Sequence, residues 1–152
     1  MITVGVVGFK EFRKAMSNVD SQFYSLAKHS LTKATEEIHG KATDKAPFAF
    51  GKLKGSIRQG VRGLKAEVVA GSKYASFVEY GTRPHFPPVA ALEPWAALKL
   101  GSAGLAYAVA RKIAIRGTKA QPFMRPAVDE SLSKIRSIFK DLLNDMIKIM
   151  KR

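Results

Sequence analysis

Three histidines, His29, His39 and His85, are the first side chains to test for chemistry in this 152-residue chain. They are few and scattered, and with no cysteine available a metal would need carboxylates gathered by the fold. Glu36 and His39 form Glu-x-x-His, a spacing used in carboxylate-bridged metal bundles. That site needs partners on other helices, so a solvated helix face is the simpler expectation. Asp141 and Asp145 read as surface acids near lysines before they read as a general acid and base. Gly51-Lys52 is followed by leucine and lacks the earlier glycine of a phosphate-cradling loop, and no Gly-x-Ser-x-Gly elbow occurs. Glu79 beside Tyr80 is most simply paired with Arg83, four residues on. The inventory argues against an enzyme, with no catalytic, cofactor or metal residues to name.

Charge says more about partners. Lysine and arginine number 26 against 12 acids, a formal +14, which favours polyanions and acidic surfaces. Two runs are dense. Lys52, Lys54, Arg58, Arg62 and Lys65 form one basic surface, and Arg111, Lys112, Arg116 and Lys119, with Arg125 beyond, form another. Either can meet DNA or an acidic partner. The absence of cysteine fits an intracellular or particle-bound setting, and no run reaches membrane-spanning length, so a soluble protein is expected.

The elements that must carry these side chains follow from periodicity. Ile2, Val4 and Val6 alternate as a short strand ending near Gly8. From Lys10 to Lys45 the positions Phe12, Met16, Val19, Phe23, Ala27, Leu31, Ala34, Ile38 and Ala42 step by threes and fours, predicting one long amphipathic helix. At 1.5 Å per residue it would extend on the order of 50 Å. Such a helix either projects toward a neighbour or bends and wraps its own sheet. Ala46-Pro47 stops it. Leu53, Ser56 and Ile57 suit a single helical turn. Gln59 to Arg62 and Leu64 to Ala70 then read as a hairpin joined across Gly63, with Arg58, Arg62 and Lys65 on its exposed face.

Tyr74, Phe77 and Val78 recur as one face of a short helix that Gly81 closes and Pro84 forbids from continuing. His85-Phe86-Pro87-Pro88 cannot be a central strand. Two short helices follow, around Leu92 to Leu100 and Leu105 to Ile113, turning at Gly101 to Gly104 and anchored by Trp95. In the closing helix Pro126 suits the first position, Asp129 and Glu130 the positive end, and Lys148, Lys151 and Arg152 the negative end. Val128, Leu132, Ile135, Phe139, Leu142, Met146 and Ile149 make its buried stripe, to pack beside the first helix or across the sheet.

Lys73-Tyr74-Ala75-Ser76-Phe77-Val78-Glu79-Tyr80-Gly81-Thr82-Arg83-Pro84, Leu92-Glu93-Pro94-Trp95 and Arg116-Gly117-Thr118-Lys119-Ala120-Gln121-Pro122-Phe123-Met124-Arg125-Pro126-Ala127 resemble, in this order, the tail-completion proteins of long-tailed bacteriophages and prophages. These are also called neck, head-tail joining or minor tail proteins. The resemblance runs from about Lys10 to Ser137 and includes Ala46-Pro47 with Gly51-x-Leu53-x-x-Ser56-Ile57. It departs where the family usually carries aspartate and threonine before that glycine; here Ala49 and Phe50 stand there. No polar contact is carried over to that loop, and Phe50 meets either a neighbour or a core side chain.

The resemblance implies a single α+β domain over residues 1–152, with a small antiparallel sheet packed by long first and last helices and a helical excursion at about 84–116. It implies a structural part of the phage virion at the neck or head-proximal tail end, present in the host cytoplasm during assembly. The expected partners are copies of itself in a homo-oligomeric ring, with a hexamer as the expected size, then the head-tail connector and the tail terminator or tail tube proteins. Non-specific DNA contact is possible and membrane contact is not expected. A basic nucleic-acid-binding module without sequence specificity is the alternative. Aromatic and arginine side chains are enriched at interfaces, and Tyr80, Thr82, Arg83, Trp95, Phe123 and Arg125 are the interface candidates, at ring contacts shared with the excursion. Tyr74 and Phe77 fill the core at least as readily.

Overall fold

The computed structural model describes residues 2–5, 21–47 and 52–150. Its order is β1 (Ile2–Gly5), α1 (Ser21–Lys45), a 3-10 turn (Lys54–Ser56), β2 (Ile57–Arg62), β3 (Lys65–Ala70), α2 (Ala75–Tyr80), α3 (Val89–Leu100), a 3-10 turn (Ala103–Leu105), α4 (Ala106–Arg116) and α5 (Met124–Met150). The class is α+β, as expected. The strand end near Gly8, the helical turns before Ser21, and the Ala49-Phe50 departure lie outside the described residues.

The sheet is antiparallel in the order β1-β3-β2, so the returning arm of the hairpin is central. Arg62 pairs with Lys65, leaving Gly63-Leu64 as a two-residue loop, and Gly63 has the positive φ (60°) that primed hairpin turns require. β2 starts at Ile57, two residues before the expected Gln59, because Ile57 pairs with Ala70 and is itself buried. Along β3, Ala66, Val68 and Ala70 face inward while Lys65, Glu67 and Val69 face outward. That period of two fixes the register. Arg58 and Arg62 share the outward side with Lys65, as expected for that face.

The inner face is covered by α1, which also packs along α5. The two helices run antiparallel: Lys45 Nζ lies 2.6 Å from Glu130 Oε1 near one end, and Ala27 clusters with Leu142 near the other. Thus the long helix wraps its own sheet over the described span. Alanines at 27, 34 and 42 are fully buried, as are Ala127 and Ser131 on α5, so small side chains let the axes approach. Two buried hydroxyls there are satisfied within their own helices: Ser131 Oγ donates to the Ala127 carbonyl (2.6 Å) and Thr35 Oγ1 to that of Leu31 (3.1 Å). On α5, Ser131 takes the buried place expected for Leu132, which is exposed.

The Leu53-x-x-Ser56-Ile57 stretch is a staple. Leu53 and Ile57 enter the core, while Ser56 receives the backbone N–H groups of Gly71 (2.9 Å, carbonyl) and Ser72 (3.1 Å, hydroxyl). It thereby ties the start of the hairpin to the exit from β3. The excursion is a helical pair, α3 and α4, whose main contacts are with each other and the turn between them. Its fully enclosed residues are Ala96, Ala106 and Ala110; Trp95, expected to anchor it, is half-buried, because alanines allow the two helices to close without the indole between them.

Candidate interface around the glycine-threonine clasp

The two Gly-Thr stretches, 36 residues apart, meet. Thr82 N–H donates to the Thr118 carbonyl (3.1 Å), Thr118 N–H donates to the Thr82 carbonyl (3.2 Å), and the two hydroxyls lie 3.0 Å apart. This is an isolated antiparallel bridge that closes the base of the excursion. The glycines before each threonine are what allow it. Both have positive φ, Gly81 at 73° and Gly117 at 68°, and a Cβ would stand 2.5 Å from the Thr118 carbonyl oxygen at Gly81 and 2.0 Å from that of Thr82 at Gly117. Only glycine tolerates both the dihedral and the approach.

Beside the clasp, Glu79 is 3% exposed. Its Oε2 accepts from the N–H groups of Phe123 (2.8 Å) and Met124 (2.9 Å), and its Oε1 from that of Arg125 (2.9 Å). The next residue, Pro126, has no N–H, and Ala127 N–H begins the helical ladder by donating to the Phe123 carbonyl (3.3 Å). Every orphan donor of the first turn of α5 is therefore satisfied by one carboxylate or absent. Two expectations are corrected. Glu79 does not pair with Arg83, because its carboxylate points inward to α5 while Arg83 is exposed. Pro126 is not the first residue of the helix; α5 starts at Met124, and the proline stands where a missing donor costs nothing. The signal was in the sequence: Pro122-Phe123-Met124 offers no side chain able to cap, so the acceptor had to come from elsewhere.

Glu79 inside turns the rest of α2 out. Ala75 and Glu79 are its buried positions, one helical turn apart, and the aromatics occupy the opposite side. Phe77 is 58% and Tyr80 71% exposed, and Tyr74 is exposed as well. Phe77 and Tyr74 thus do not fill the core. Arg83 and Arg125 are exposed at the same corner, Arg125 being held to α2 through its backbone. Thr82 is spent on the clasp. Phe123, expected at an interface, is fully buried in the chain's own core with Leu53, Ile57 and Val68, where an enclosed phenyl contributes about 1.5–3 kcal/mol. Its ring cannot be offered to a partner.

The basic candidates fall in two separate regions. Lys52 and Lys54 lead into β2, and Arg58, Arg62 and Lys65 line the outer sheet face, where Lys65 sits 3.8 Å from Glu67. Arg111, Lys112 and Arg116 lie exposed on α4, with Lys119 just beyond the clasp. Among the described residues no three or more histidines, cysteines or carboxylates gather as metal ligands. His39 is a tether, its Nε2 donating to the Ile57 carbonyl (3.1 Å), and Asp145 pairs with Lys148 (3.0 Å) on the α5 surface. No described helix is long and apolar enough to cross a membrane.

Residues 10–81 match the model of a family described as "Bacteriophage HK97-gp10, putative tail-component". The matched span includes α1, the Ser56 staple, the hairpin and α2, and it stops at Gly81, the first residue of the clasp. No curated protein and no solved structure matched the chain.

Proposed function

From the match of residues 10–81 to the HK97-gp10-like family of phage tail components, we propose that this chain completes the head-proximal end of the tail or the neck as a homo-oligomeric ring. A tail component of this family implies a structural part of the particle rather than a catalyst. One observation carries the finer reading: Phe77 and Tyr80 point outward from a short helix whose position is fixed by the Glu79 cap and the clasp, with exposed Tyr74, Arg83 and Arg125 on the segments that the helix, cap and clasp join. Rigid, exposed aromatics flanked by arginine bind with little ordering cost. In a ring this corner meets a different surface of the next copy, which lets the contact propagate and close. The excursion, with half-buried Trp95, remains for adjoining neck and tail proteins. Electron microscopy and light scattering of the purified chain test this: rings of defined size are expected, and a chain that stays monomeric both alone and with connector and tail proteins rejects it.

A second reading has one supporting feature. Arg58, Arg62 and Lys65 are exposed together on the outer sheet face, so in an assembled ring this face is a candidate for contact with passing DNA.

A further inference from the structure

The excursion between Thr82 and Thr118 is the most apolar exposed part of the described chain. Phe86, Leu98, Leu100, Leu105, Tyr107 and Ile115 are all exposed, Ile115 to 71%, and Phe86 and Tyr107 meet only edge to face with ring centroids 6.2 Å apart. So many exposed apolar side chains on one small helical pair point to an interaction site. The same surface carries Lys99, Arg111, Lys112 and Arg116 against the single acid Glu93, all exposed. Among the described residues none of these four cations has a carboxylate within 4.0 Å.

We propose that the excursion is the arm by which this tail component docks a second, different particle protein, one that offers an apolar groove rimmed by aspartate and glutamate. This rests on the reading of the chain as a neck or tail component and names the partner chemistry of one part of it. Charge complementarity selects the occupant. A second copy is itself +14, so seating the arm on it brings further cations to four that already lack partners. DNA would satisfy the cations and leave Leu98, Leu100 and Ile115 in water. A bilayer surface needs its apolar side chains on one face, whereas Leu98 and Leu100, two residues apart on α3, point to nearly opposite sides, as suits insertion between walls. The clasp supports the same use, since the arm leaves and rejoins the body at one paired point and can be gripped without disturbing the core.

The test uses the full chain and two surface variants, Leu98→Ser/Ile115→Ser and Arg111→Glu/Lys112→Glu. Binding is measured to the purified products of the genes flanking this one, to vesicles of equal phosphatidylglycerol and phosphatidylcholine, and to itself. One flanking product is expected to bind the natural chain, about tenfold or more weaker to each variant, with unchanged melting and self-association. Four results overturn the proposal: no flanking product binds, the variants bind as well as the natural chain, vesicles bind in their place, or the variants lose self-association, which assigns the arm to a second copy. A chain that stays monomeric yet binds a flanking product through the arm sinks the ring and leaves the arm standing.

Discussion

Glu79 holds the backbone of Phe123 from 44 residues away, its Oε2 receiving that N–H at 2.8 Å inside the core. The contact joins the last residue before α5 to the six-residue α2, which buried Ala75, the Gln121 N–H to Val78 carbonyl bond (2.8 Å) and the clasp also hold. Replacing Glu79 by alanine leaves three donors without an acceptor, two of them on buried residues. A loss of about 3 kcal/mol or more is expected in urea unfolding, since each buried unsatisfied group costs about 1–3 kcal/mol. Glu79→Gln keeps one acceptor oxygen and is expected to lose less than alanine does.

Glycine substitutions are expected to split by position. Gly117→Ala forces a Cβ to within 2.0 Å of the Thr82 carbonyl oxygen at a φ of 68°, so the clasp must open, with a loss of about 2 kcal/mol or more. Gly40→Ala, in α1 with nothing within 4 Å of the added carbon, is expected to stabilise the chain by about 0.5–1 kcal/mol. Thermal melts of the two variants measured side by side check both signs.

Tyr80→Ser and Arg83→Glu remove exposed side chains, so folding stability is expected to stay within about 0.5 kcal/mol of the natural chain. Their effect is expected on assembly, with the double variant shifting light-scattering mass toward the monomer. A double variant that melts normally and still forms rings separates this corner from the ring contact.

Arg58→Glu/Arg62→Glu reverses the outer sheet face without touching the core. If that face meets DNA, fluorescence anisotropy with a random duplex is expected to show weaker binding and a shallower dependence on salt, because fewer counterions are released. Equal binding by the variant and the natural chain removes the second reading.

What could be read from the sequence divides along physical lines. The stripe Ala27, Leu31, Ala34, Ile38 and Ala42 repeats for many turns, and a strand running to Ala70 follows a hairpin glycine; these patterns are local, and the structure has them where they were expected. α2 is too short for a pattern to decide its buried face. Tyr74 and Phe77 look like core by type, yet Glu79, an acid, is the residue enclosed, because α5 supplies it with three backbone donors. Burial there was decided by a partner 44 residues away. Ser131 displaced Leu132 for a similar reason: a residue facing α1 at close range has to be small, and its hydroxyl finds an acceptor on its own helix.

The pairing of Thr82 with Thr118 also bears on how such a chain can change over time. Closing a loop costs only about 0.6 kcal/mol more for each doubling of its length, and here the closure point is held by the body's own bridge and two glycines. The scaffold beneath therefore sets neither the size nor the sequence of what it displays. Descendants can lengthen, trim or exchange the displayed segment while the fold that carries it stays the same.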